Sequence, residues 1–429
     1  MRDVTLVPLL LLASAGWLLA PAHAASATGR TVASGDRPRR DQHHAACSVD
    51  LTEDLAEKEP LILQKQCTKN VCSWKLSEGD EDQLNFERGE EVLIACPDKN
   101  NELQGFASQT KSVVAVCSDK PDSSFKVNGE AFTIKGFECE RIPKGEIMTK
   151  NVACGHRNAE LMELGFTVRD QWYSLIKVCH VKARSETLFT EHILQGETTK
   201  KRRIAKRPSF EEGGCGCYQG FSANDAYKNV NKTLREVTGS SKFPSSISSN
   251  IDRGHLAPDG DFPITPYRYA TYFYVNAVPM WSVINRGNWV ALEDKIRKLA
   301  RDLATDLHIA TGVFRVMDLP DRNGNLQELF LYRSSNRKQI PVPKFLWKVV
   351  YDEKSKKGIA FVVLNDPFPK AIDSDDELCP NICKESGWND NRWRRISRGY
   401  LYCCEVKELK KFVPYVPKYD VKSVLNGSD

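Results

Sequence analysis

The chain has 429 residues, 41% hydrophobic and 27% charged, enough to bury a sizeable core spread over about two domains. That balance excludes a disordered or low-complexity chain. A net charge of +5 and a pI near 8.4 permit a polyanionic partner without requiring one.

The first residues, "MRDVTLVPLLLLASAGWLLAPAHA", have a charged Arg2, an apolar run from Val7 to Ala20 and the small-x-small triplet Ala22-His23-Ala24. That pattern predicts a secretory leader over residues 1–24 and a chain exported to the extracellular space. No other apolar run approaches the roughly 18 residues of a membrane span, so no membrane partner is expected. Residues 25–46, rich in Ala, Ser, Gly and Arg without periodicity, read as a flexible tail. The 14 cysteines divide into eight before residue 180 and six after residue 214. In an exported chain each even group is expected to close on itself as disulfides. A zinc site on Cys215, Cys217, Cys379 and Cys383 is the competing reading, weakened by the lack of a histidine pair with ligand spacing.

Residues 47–196 carry short alternating segments such as "EEVLIAC" and "SVVAVC", which predict a small, disulfide-rich, mainly β domain. They hold no recognisable catalytic cluster and are expected to have no hydrolytic activity of their own. Residues 197–207 contain the Lys200–Arg203 run, read as an exposed basic linker, with proteolytic processing as the alternative. From 208 to 417 the pattern changes. "YATYFYVNAVPM" reads as a strand. "NWVALEDKIRKLARDL" repeats Trp289, Leu292, Ile296, Leu299 and Leu303 at helical spacing. "HIATGVF", "ELFLYRS", "PKFLWKVVYD" and "GIAFVVLND" read as further strands, giving an α+β domain with an antiparallel sheet and a C-terminal tail at 418–429. Asn231-Lys-Thr233 and Asn426-Gly-Ser428 are glycosylation sequons, usable where exposed.

The chemistry-bearing residues lie in "NIDRGHLAPDGDF" and "NAVPMWSVINRGNWVALEDKIR". His255 carries an imidazole able to accept a proton at neutral pH, though a turn histidine is the plainer reading. Asn285 reads as a helix-entry residue or as a neutral oxygen ligand for Mg2+. Glu293 and Arg297 are four apart on one helical face and would suit an ordinary ion pair.

Taken together, Asp-Arg-Gly-His, Asn-x2-Pro, Asn-x-Gly-x-Trp-x2-Leu-Glu and a following Arg resemble the DNA/RNA non-specific endonuclease family with its ββα-metal site. That family includes Serratia-type nucleases and endonuclease G. The segments "VNAVP", "RGNW" and "GYLYCC" are most similar to the secreted, cysteine-rich nucleases of arthropods such as shrimp and crab.

The resemblance implies that His255 is the general base and Asn285 the single direct protein ligand of Mg2+, for which Mn2+ is a substitute. It implies that Glu293 supports the metal through water and that Arg297 stabilises the transition state. Arg253 and Asp252 belong to the motif and brace its loop, and Asn276 makes a supporting polar contact. The implied partner is DNA, with RNA as a further substrate, cut to 5′-phosphate products. Met280 departs from the pattern, standing where relatives commonly have glutamine. Arg392, Arg394, Arg395 and Arg398, beside Trp388 and Trp393, are candidates for wider DNA contact or a solvated basic surface. The alternatives are a secreted nucleic-acid-binding protein without catalysis and a mitochondrial enzyme of the endonuclease G kind.

Overall fold

The computed structural model describes residues 47–68, 71–77, 83–118, 124–196, 206–240, 250–369 and 371–427. The expected leader and tail and the Lys200–Arg203 run lie outside the described residues. No described helix is long and apolar enough to cross a membrane.

The fold is α+β and its strands pair almost wholly antiparallel. Six strands form an N-terminal sheet: β1 (Leu61–Thr68), β2 (Val71–Leu76), β3 (Glu91–Ala95), β4 (Ser112–Cys117), β5 (Ser124–Val127) and β6 (Glu130–Thr133), in the order β2-β1-β3-β4-β5-β6. The two alternating segments noted in the sequence become β3 and β4, with β3 buried from Val92 to Ala95.

A larger, nine-stranded sheet follows. It contains β7 (Glu146–Cys154), β8 (His156–Val168), β9 (Gln171–Val181), β10 (Glu186–Leu194), β13 (Leu307–Val316), β14 (Pro343–Asp352), β15 (Lys357–Leu364) and β16 (Leu401–Cys404). Their order is β16-β15-β14-β13-β10-β9-β8-β7, and β17 (Ser423–Val424) pairs parallel to β15. Two of its interior strands, β14 and β15, are buried along nearly their whole length, β15 through an almost unbroken apolar run and β14 with Lys348 among its buried residues.

This sheet runs across the boundary expected near residue 196. β10 pairs with β13 from Phe189↔Gly312 to Leu194↔Leu307, so strands from either side of the linker share one ladder. The buried core is also continuous. Phe166 packs 6.2 Å from Tyr267, and Thr265 donates its backbone N–H and its hydroxyl to Glu59 at 2.8 and 2.5 Å. Local alternation could suggest each strand but not which distant strand would pair with it. Residues 208–417 expressed alone should therefore fail to fold, because β13 would become an exposed apolar edge. Soluble yield and far-ultraviolet circular dichroism check this; a monomeric, cooperatively melting fragment would show that β10 is dispensable.

The cysteines pair as the two even groups predict. Cys47–Cys117, Cys67–Cys72, Cys96–Cys139 and Cys154–Cys179 form one set; Cys215–Cys217, Cys379–Cys404 and Cys383–Cys403 form the other. With all four candidate ligands oxidised, the zinc reading is overturned.

Two short helices, α1 (Ala223–Lys228) and α2 (Val230–Thr238), precede the strands β11 (Ile251–His255) and β12 (Ala277–Trp281). The Asn231 sequon lies on α2 with Thr233 buried, its hydroxyl donating to the Leu331 carbonyl at 3.3 Å. Of the apolar stretch 269–280 only Ala277 onward is strand. Asn276 explains the difference. It is fully buried, receives the Ala257 N–H and donates to the Ala257 and Thr271 carbonyls, all at 2.9 Å. Those bonds hold the preceding residues Tyr274–Asn276 in a 3-10 turn. The periodic helix appears as α3 (Val290–Leu303), burying Leu292, Ile296 and Leu299.

Candidate active site

β11 and β12 lie antiparallel, from Ile251↔Trp281 to His255↔Ala277, and α3 follows, giving the expected ββα unit. The strands approach closely at Gly254. A Cβ there would stand 2.6 Å from the Met280 Cε, so Met280 fills the space that glycine leaves. Met280 is fully buried. Its place in the motif is a packing position here.

His255, Asn285 and Glu293, separated by up to 38 residues in sequence, open onto one cleft of about 740 Å³. Asp252, Arg253, Arg207, Phe210, Asp259 and Tyr272 also line it. A depression of about 420 Å³ around Asp321 and Arg322 contains none of the motif residues.

Asp252 sets the orientation of Asn285. Its Oδ2 accepts from Asn285 Nδ2 and Arg286 Nε, both at 3.0 Å. Its Oδ1 accepts from Ser282 Oγ at 2.7 Å and Arg286 Nη2 at 3.1 Å. With its nitrogen so engaged, the Asn285 carboxamide oxygen has no donor among the described residues. A hydrogen-bond network of this kind is what assigns the two ends of an amide.

His255 is fixed by Thr271 and by aromatic packing. Thr271 Oγ1 donates to the Arg268 carbonyl at 2.7 Å, so towards His255 Nε2, 3.4 Å away, it acts as acceptor. Nε2 then carries the ring proton and Nδ1 keeps its lone pair. Phe210 and Tyr272 pack on the ring at 5.0 and 4.8 Å between centroids. Burial pushes the imidazole down to about 4, against Asp259 and with help from Arg207. It is neutral at neutral pH, as a base must be. Since protonation begins only as pH falls towards that value, the acid limb of kcat/KM due to this group should lie below the ordinary 6.5. Initial cleavage rates from about pH 4 to about pH 8 test it; a limb at 6.5 or higher would mean a fully hydrated ring.

The neighbouring carboxylates differ. Burial works against charge on Asp259, but His255, Arg268 and the Tyr272 hydroxyl at 3.0 Å hold its pKa below the ordinary value. Glu293 is half-buried and has no hydrogen-bond or ion-pair partner among the described residues. Burial raises its carboxyl to about 7, although Arg297 and Lys348 oppose the shift.

Arg297 does not reach the cleft. It is 4% exposed, and its guanidinium donates to Asp261 Oδ1 and Asp294 Oδ1 at 2.6 Å each. The i,i+4 pair with Glu293 suggested by spacing gives way to these bonds. Burial alone would lower its pKa, but Asp261, Glu293 and Asp294 raise it. Asp261 also accepts from His192 Nε2 on β10 at 2.9 Å, and this bond with Arg297 outweighs burial to hold Asp261 at about 2. Lys348 on β14 is buried too, donating to Thr311 Oγ1 at 2.6 Å and lying 5.1 Å over Trp289. Burial lowers its pKa. Arg253 lines the cleft but is braced, its Nε donating to the Tyr274 hydroxyl at 3.1 Å and its Nη2 to Asn224 Oδ1 at 2.9 Å.

Sequence reasoning missed Asp259, Tyr272, Phe210 and Arg207 at the cleft, and His192 and Lys348 behind it. Asp259 and Asp261 stand four and six residues after His255, a signal available in "PDGDF". The others had none, since they come from distant elements.

The chain is similar to several known proteins. The salivary endonuclease of Lutzomyia longipalpis is 24% identical over 85% of this chain and 83% of its own. Salivary protein Tsal2A of Glossina morsitans morsitans is 24% identical over 87% of this chain and 92% of its own. The human mitochondrial nuclease EXOG is 28% identical over 28% of this chain and 33% of its own. A chain of the EndoG/EndoGI complex aligns in structure at 15% identity and a TM-score of 0.38, covering 59% of this chain and 89% of that one. The sequence pattern of Endonuclease_NS, the DNA/RNA non-specific endonucleases, matches residues 157–409 and spans the strands and helix that build the cleft. Over more than half its length this nuclease chain therefore belongs to the DNA/RNA non-specific endonuclease family.

Proposed function

We propose that this nuclease is a secreted, metal-dependent and largely sequence-independent endonuclease that hydrolyses DNA, and also RNA, to 5′-phosphate products. One observation carries the reading. His255, held at Nε2 by Thr271, and Asn285, whose amide oxygen has no donor among the described residues, line the same cleft.

The donor set fits a hard divalent cation such as Mg2+, with Mn2+ as a substitute. Asn285 offers a neutral amide oxygen, and Glu293 is a half-buried carboxyl without a partner among the described residues. Asn285 would hold the ion directly and Glu293 through water. When bound, the ion supplies positive charge that stabilises the negative charge developing on the phosphodiester oxygens.

The remaining steps belong to the chain's own residues. His255 Nδ1 takes a proton from a water whose oxygen attacks phosphorus. The P–O3′ bond breaks, the phosphate stays on the 5′ side, and the 3′ oxygen leaves with a proton from solvent. Asp252 orients Asn285, and Asn276 and Thr271 fix the loop that follows His255. Arg297, paired with Asp261 and Asp294 behind the cleft wall, steadies α3 and opposes the rise in the Glu293 pKa, in place of a direct hold on phosphate. Contact with phosphate and sugar makes the cleavage indifferent to base sequence.

Seven disulfides and salivary relatives that match most of the chain support an extracellular location. The mitochondrial relative matches a far smaller share.

The test is purified protein with Mg2+ against circular plasmid, single-stranded DNA and RNA, followed by end-group labelling. Plasmid should be nicked and then fragmented, with ends that accept labelled phosphate only after phosphatase treatment. Intact substrates after incubation with folded protein would refute the reading.

A further inference from the structure

We infer that Arg395 and Arg398 form the continuation of the substrate surface beyond the cleft, binding the phosphodiester backbone of a nucleic acid past the bond being cut. The inference rests on the nuclease reading and adds to it where the rest of the strand lies.

These arginines belong to the excursion between β15 and β16, strands that pair from Ala360↔Cys404 to Val363↔Leu401. Its disulfides, Cys379–Cys404 and Cys383–Cys403, tie it to β16. The excursion then packs on the turn that carries Asn285. Asn288 Nδ2 donates to the Arg392 carbonyl at 3.1 Å and to the Gly399 carbonyl at 2.6 Å. The approach is closest at Gly287, where a Cβ would stand 2.7 Å from the Arg398 carbonyl oxygen and 3.2 Å from its Cβ. The Arg398 side chain thus starts beside Gly287, two residues from the proposed metal ligand.

The charges are not equivalent. Arg392 is bound to Asp390 by Nε and Nη2 at 3.0 and 2.7 Å. Arg394 lines a separate hollow of about 240 Å³ with Glu385 and Asp390. Arg395 and Arg398 are exposed and have no acidic partner among the described residues. Arg286, with a side chain 76% exposed, lines the cleft. Its Nε and Nη2 are held by Asp252. Two exposed, unpaired guanidinium groups on the excursion that packs against the Asn285 turn suit a repeating phosphate, which guanidinium binds bidentately.

The experiment uses the full-length protein with His255→Ala, so that DNA is bound but not cut. To it is added Arg395→Gln with Arg398→Gln or, separately, Arg394→Gln, and thermal melts confirm folding. Duplex affinity is measured over a range of salt concentrations. Because each phosphate contact contributes about 0.9 to the slope of log K against log salt, the double variant should lose about 1.8 of that slope, while Arg394→Gln leaves it unchanged. An unchanged slope in the double variant overturns the inference, as does an equal loss in Arg394→Gln. So does loss of binding to anionic phospholipid vesicles with duplex affinity intact. A parent protein that binds DNA but fails to cut plasmid would instead defeat the nuclease reading, leaving this slope to be judged separately.

Discussion

Replacing His255 with alanine should lower turnover on plasmid by about 10²–10⁴-fold, the usual weight of a positioned general base, while duplex DNA still binds. The local fold has reason to survive. Phe210, Tyr272 and Tyr274 retain their mutual contacts, at 5.1 and 5.6 Å from the Phe210 ring, and Asn276 still ties Ala257 to Thr271. A turn histidine would give the opposite pattern, with a shifted melting temperature and nearly unchanged specific activity. Folded His255→Ala protein cutting plasmid at close to the parent rate would therefore remove the proposed base.

Asn285→Ala should fail differently. Asp252 keeps its bonds to Ser282 and Arg286, so the turn remains tied, but the cleft loses the one neutral amide oxygen proposed to hold the ion. Activity should collapse at ordinary Mg2+ and recover in part as Mg2+ is raised, whereas His255→Ala shows no such rescue. Titrating Mg2+ against initial rate separates the two variants. A rate loss in Asn285→Ala that is independent of Mg2+ would show that the amide serves Asp252 rather than a cation.

The site was legible in the sequence to the extent that its chemistry is held in contiguous motifs. His255, Asn285 and Glu293 were each marked by neighbours at fixed spacing, and the structure brings all three to one cleft. Arg297 shows the limit of spacing. One helical turn from Glu293, it looked ready to face phosphate, yet Asp261 and Asp294 hold it in the wall. Nothing local marks a residue as the partner of a strand more than a hundred positions earlier, as His192 is linked through Asp261 to Arg297. The strands were legible for the same reason as the motifs: β14 has the bounds that its apolar run suggested. Pairing was not. The ladder between β10 and β13 depends on which edge is free after folding, a property of the whole chain.

That ladder has a further consequence at the basic linker. Every disulfide lies wholly within residues 47–179 or wholly within residues 215–404, so no covalent bond other than the main chain joins the two sides. A protease that cut between residues 196 and 206 would leave a two-chain particle held by strand pairing and buried apolar surface, with His192 still on Asp261. Such a particle would elute as one species under native conditions and separate in denaturant without reductant. Its unfolding would change order, from a unimolecular event to a dissociation, and its melting temperature would then rise with protein concentration.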